Sequence, residues 1–77
     1  MDYPPALVRQ VWAQARPLEE GIWEVPWPDG AAWVRVIYEG HTRQWRAEAR
    51  RCPQDPLQHA RSAEGPIPLL LAVWRTL

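Results

Sequence analysis

The ten residues TRQWRAEARR, positions 42 to 51, alternate almost without fault. Thr42, Gln44, Arg46, Glu48 and Arg50 share one parity, and Trp45, Ala47 and Ala49 share the other. Successive side chains of a strand point to opposite faces, so this period of two means one dry face and one charged face. The fold must therefore contain a half-buried sheet. Something has to cover the dry side, and the charged side has to meet water, a protein or a phosphate backbone.

Two further segments read as partners for that strand. GIWEVPW, residues 21 to 27, puts Trp23, Val25 and Trp27 on one side. Pro26 lacks an N–H for a ladder, which predicts an edge strand. AAWVRVIYE, residues 31 to 39, is rich in β-branched residues and predicts the central strand. Pro-Asp-Gly at 28 to 30 is a turn, with proline fixing one corner and glycine free to take a positive φ. Gly40 in EGHT marks the second turn, and Pro53 ends the third strand. Short turns make the three an antiparallel meander.

Helices are expected on both sides of the meander. Asp2-Tyr3-Pro4-Pro5 reads as a helix start, since proline is tolerated in a first turn. Leu7, Val8, Val11, Trp12 and Ala15 follow as one helical stripe, which should stop near Arg16 because Pro17 disfavours helix at the residue before it. In DPLQHARSAEG, Asp55 as N-cap, Pro56 at the first position and Gly65 as a stop predict a short helix. Leu69, Leu70, Val73, Trp74 and Leu77 then repeat the stripe of the first helix. The expected fold class is α+β, in the order α-β-β-β-α, with the last helical region in two pieces. Both helical regions should lie on one sheet face, over a core of Leu7, Val11, Trp12, Leu70, Val73, Trp74 and Leu77 against Trp23, Val25, Val34, Val36, Trp45 and Ala47.

Seventy-seven residues allow one domain, 1–77, with a small core. Cys52 is the only cysteine, so no internal disulfide staples it. His41, Cys52 and His59 make no four-ligand metal set at a familiar spacing. Six tryptophans are the substitute, each burying a large area. The nine basic residues are all arginine and balance nine acidic ones, so no global field draws the chain to nucleic acid or an anionic membrane. The N-terminus lacks the basic lead and apolar run of a signal peptide, and Ile67 to Trp74 is too short to span a bilayer. A cytoplasmic protein with a reduced cysteine is expected.

The parity of the strands defines a candidate surface. If Val34, Val36 and Tyr38 point inward, Trp33, Arg35, Ile37 and Glu39 point outward. Beside them stand Gln44, Arg46, Glu48 and Arg50 on the third strand and Ile22 and Glu24 on the first. Cross-strand ion pairs facing water account for the charges. They do not account for Trp33 and Ile37, which are costly to leave wet. Arginine with tryptophan is the usual composition of a protein-interface centre. The candidate partner surface is therefore Ile22, Trp33, Arg35, Ile37, Arg46, Glu48 and Arg50. Its partner is a protein or a second copy of the chain, through this face or the free edge of the third strand. The alternative is nucleic acid, with Trp33 stacking a base and arginines holding phosphates.

No glycine-rich phosphate loop follows a strand, Ser62 is the only serine, and the carboxylates are scattered. Nothing here supports an enzyme, a cofactor or a metal. The α-β-β-β-α order resembles the double-stranded-RNA-binding domain and the HicA-type toxins, and EGHTRQW is similar to their glycine-histidine loop. The functional motifs differ: no lysine cluster opens the last helix, and His41 falls in a turn. WRAEA followed by ARSAEGPIPLLLAVWRTL resembles the closing half of small phage and prophage proteins. That resemblance implies a non-enzymatic accessory protein of a mobile element.

Overall fold

The computed structural model describes residues 5–28 and 32–76. Helix α1 (Pro5–Ala13) leads into strands β1 (Arg16–Glu19), β2 (Ile22–Pro26), β3 (Trp33–Glu39), β4 (Gln44–Arg50) and β5 (Gln58–Ser62), and helix α2 (Pro66–Thr76) closes the chain. The strands form one antiparallel sheet in the order β1-β2-β3-β4-β5, each paired with its sequence neighbour. The fold class is α+β, with five strands where three were expected.

Both helices cover the same face. α2 crosses β4 and β5, and α1 packs on β2 and on α2. Between them and the sheet lie Val8, Val11, Val25, Trp27, Val34, Val36, Ala47, Ala49, Leu69, Leu70 and Val73, none more than 7% exposed. Burying such side chains is worth about 1.5–3 kcal/mol for each large one and is the main driving force for a chain without staples. Ala47 and Ala49 keep β4 thin where α2 crosses it, so that Leu69 and Leu70 reach full burial.

The tryptophans divide into two groups. Trp12, Trp23 and Trp45 meet at centroid distances of 5.4 to 6.0 Å, with Tyr38 4.8 Å from Trp45. At the other end Trp27 lies 5.6 Å from Trp74. The expected core is corrected here. Trp27 is the buried tryptophan, whereas Trp12, Trp45 and Trp74 pack against the core only half-buried. Leu7 is likewise half-buried at the rim, with Val8 taking its place in the core.

Four local expectations are also corrected. The first helix ends at Ala13, where Gln14 N–H and Ala15 N–H donate to Val11 O and Trp12 O in tightened turns of 3.1 and 3.0 Å. Arg16 is already extended, as the residue before Pro17 must be. Its strand, β1, has four exposed residues, RPLE, and no apolar alternation. It is held by the tight Glu20-Gly21 turn, where Gly21 adopts φ 78° and a Cβ would stand 3.2 Å from Tyr38 O. β2 is consequently not an edge along Ile22 to Glu24; Pro26 sits past the end of β1, where a missing N–H costs nothing on that side.

The third correction concerns residues 55–65, which hold β5 rather than a short helix. As a helix the segment has only Leu57, Ala60 and Ala63 to bury. As a strand it pairs the whole edge of β4, from Trp45↔Ser62 to Ala49↔Gln58. The last helical region is thus one piece, α2. It starts after a turn in which Glu64 N–H donates to Ser62 Oγ at 3.1 Å and Gly65 takes φ 133°. The second turn falls at residues 40–43 and includes Gly40, as expected. Its left-handed residue is Arg43, φ 56°. The fourth is the edge of the third strand, proposed as a dimer contact, which β5 occupies. The expected helix start at Asp2–Pro4, the Asp29-Gly30 part of the first turn and Leu77 lie outside the described residues.

Candidate functional site

The face of the sheet opposite the helices is built from the alternate residues of all five strands. Ile22, Trp33, Arg35, Ile37, Arg46, Glu48 and Arg50 all stand on it, because the register sets Trp33 opposite Arg50, Arg35 opposite Glu48, and Ile37 opposite both Arg46 and Ile22. The two unforeseen strands add Arg16, Glu19, His59 and Arg61 to the same face. For β1 no signal in the sequence marks these positions. For β5 the alternation of His59 and Arg61 with Ala60 was the available one.

The face is ordered in rows across the strands. The central row reads Arg16, Glu24, Arg35, Glu48, His59, with the sign of the charge alternating along its first four members. Beside it runs Glu19, Ile22, Ile37, Arg46, Arg61, a pair of isoleucines between charges. On the other side Pro26, Trp33 and Arg50 are neighbours.

Trp33 is half-buried although no described element covers it. The Arg35 guanidinium lies 4.8 Å from its ring centroid and the Arg50 guanidinium 5.5 Å. Each such contact is worth about 0.5–1 kcal/mol at an exposed site. Arg50 also donates from Nη1 to Pro53 O at 3.5 Å, which ties it to the loop after β4. The indole is therefore in contact with two cations before anything binds.

The other arginines are compensated within the chain. Arg46 donates to Glu48 at 3.0 Å and lies 3.6 Å from Glu39, which Arg61 approaches to 3.5 Å. Glu39 Oε1 is buried and makes no hydrogen bond, so both its arginine contacts are charge attraction without aligned donors. Arg16 meets Glu24 at 3.3 Å with both side chains well exposed, a pair worth little in stability. Arg35 differs. Glu24 and Glu48 flank it in register, yet among the described residues no carboxylate pairs with it, and its buried Nε has no hydrogen-bond partner.

Elsewhere the molecule offers little chemistry. A shallow cleft of about 310 Å³ opens between the β4–β5 connection and the end of α2, lined by Arg50, Arg51, Asp55, Pro56, Gln58 and Thr76. His41 and Cys52 are both exposed in connections, one after β3 and one after β4. Among the described residues no three of His, Cys, Asp and Glu cluster as metal ligands. No helix among them is long and apolar enough to cross a membrane.

No family model matches the chain, and neither a curated protein nor a solved structure matches it.

Proposed function

We propose that the chain is a protein-interaction module and that the open face of the sheet is its contact surface. The observation that carries this is Trp33, uncovered by any described element of the fold and in contact with both Arg35 and Arg50 beside the Ile22–Ile37 pair. A large aromatic already fixed in place loses little side-chain freedom on binding, and tryptophan with arginine dominates the energetic centres of protein interfaces. A non-enzymatic accessory role, of the kind the resemblance to small phage proteins implies, belongs to the same proposal.

Nucleic acid is the weaker occupant for this face. Its five arginines, Arg16, Arg35, Arg46, Arg50 and Arg61, are interleaved with four glutamates, Glu19, Glu24, Glu39 and Glu48. A phosphate backbone laid across the strands meets a carboxylate beside nearly every guanidinium. Counterion release, which drives such binding, needs an excess of cations along the track.

Photo-crosslinking in the source cell tests the proposal. Ile37→p-benzoylphenylalanine should yield a protein adduct on irradiation, and the same probe at the exposed Gln14, away from the face, should not. An adduct to RNA or DNA would favour the nucleic-acid alternative. No adduct at position 37 above the Gln14 background would leave the face as a solvated surface and contradict the proposal.

A further inference from the structure

We infer that the occupant of the open face is a second copy of this chain, docked face to face about a two-fold axis that runs parallel to the strands, midway between β2 and β3. The inference rests on the proposed contact surface and names its partner. It follows from the order of the rows, because a two-fold contact must be complementary to itself.

An axis between β2 and β3 stacks β2 of one copy on β3 of the other and β1 on β4, while each cross-strand row meets itself. In the central row Glu24 then faces Arg35 of the second copy, and Arg16 faces Glu48 of the second copy, each contact occurring twice. In the next row Ile22 faces Ile37, apolar against apolar, and Glu19 faces Arg46. In the third, Trp33 faces Pro26. Every opposed pair is either opposite in charge or apolar on both sides.

Neighbouring placements fail this condition. An axis along β3 sets Arg35 on Arg35 and Glu24 on Glu48. An axis between β3 and β4 keeps Arg35 on Glu48 but sets Ile37 on Arg46 and Ile22 on Arg61. Stacked sheets lie about 10 Å apart and rotate by about 30°, so opposed residues interdigitate and the contacts hold at the level of rows.

Arg35 supplies an independent reason. Like Arg50, it has no carboxylate partner within its own chain among the described residues, but unlike Arg50 it stands at a position the chosen axis puts under a carboxylate, Glu24 of the second copy. Glu24 in turn is tied, among the described residues, only to the highly exposed Arg16, a contact easily exchanged. The overlap of four strands spans roughly 20 Å each way, so the dimer buries on the order of 1,000 Å² in total, the size at which specific interfaces begin. A micromolar dissociation constant is expected.

Sedimentation equilibrium of the purified chain at tens of micromolar, with a charge-reversal exchange, tests this. Wild type should dimerise. Glu24→Arg alone sets arginine on Arg35 twice, and Arg35→Glu alone sets glutamate on Glu24 twice. Each variant, folded by far-UV circular dichroism, should dimerise at least about 100-fold more weakly, since like charges forced together cost several kcal/mol. Mixed one to one, the two restore both contacts across the interface and should form a heterodimer, whereas charges opposed only within one chain gain nothing from mixing. Glu19→Arg with Arg46→Glu is the second pair and should behave alike if the first folds poorly. A wild-type monomer, a dimer indifferent to either single change, or no recovery on mixing would overturn the inference. A monomer whose position-37 probe still captures a different protein in the cell would overturn self-docking alone; a monomer without capture would remove the contact surface as well.

Discussion

The two faces of the sheet are made of the same strands, yet they obey different rules. On the covered side of β3 and β4, Val34, Val36, Ala47 and Ala49 are at most 1% exposed. On the open side the intervening residues Trp33, Arg35, Ile37, Arg46, Glu48 and Arg50 are all half-buried, although no described element lies over them. The covered face is held by volume and apolar contact. The open face is held by charge and ring contacts between its own side chains, which rigidify it while leaving its outer surface available. A chain under 80 residues thus uses one parity to fold and leaves the other outside its core.

The contrast can be broken most sharply from the covered side. Leu70→Ala removes a side chain with no exposure, and urea unfolding should show a loss of about 2–5 kcal/mol. For a domain this small that is a large part of its total stability, and the variant should be partly unfolded at room temperature. Ala47→Leu pushes extra volume between β4 and α2 and should cost about 1–3 kcal/mol in the same assay. If it were tolerated freely, α2 would not be packed tightly on β4.

On the open side the same measurement should give smaller numbers. Trp33→Ser removes both guanidinium contacts and should destabilise the isolated chain by about 1 kcal/mol, with a much larger effect on association than on folding. Arg61→Ala, which loses only an exposed approach to Glu39, should fall within about 0.5 kcal/mol of wild type. A reversal of this order between the faces would mean that the open side carries the fold.

What was legible in the sequence follows the same division. The parity of the three long strands, and with it the seven residues of the candidate surface, could be read because Val34, Val36, Trp45 and Ala47 alternate with polar residues. The one-sided cover by helices followed from the two apolar stripes. β1 could not be read, because RPLE has no face to bury and forms only to satisfy the backbone of β2. β5 was misread for a related reason. Asp55-Pro56 and Gly65 are sound helix signals locally, but the unpaired edge of the neighbouring β4 outweighs them, and the short alternation of His59 and Arg61 with Ala60 is too weak a local mark to show it. The outer ends of the charged rows, Arg16 and Arg61, were hidden with those strands.

The indole N–H signals of the tryptophans, followed by NMR on dilution from high to low micromolar concentration, test the two-faced account most directly. Trp33 stands on the open face, whereas Trp27 is buried on the helix side against Trp74 of α2. The Trp33 signal should shift with concentration while those of Trp27 and Trp74 stay in place, and Arg35→Glu should abolish the shift. A concentration dependence confined to the core tryptophans, or a Trp33 signal that never moves, would contradict the assignment of the open face as the surface this chain uses to associate.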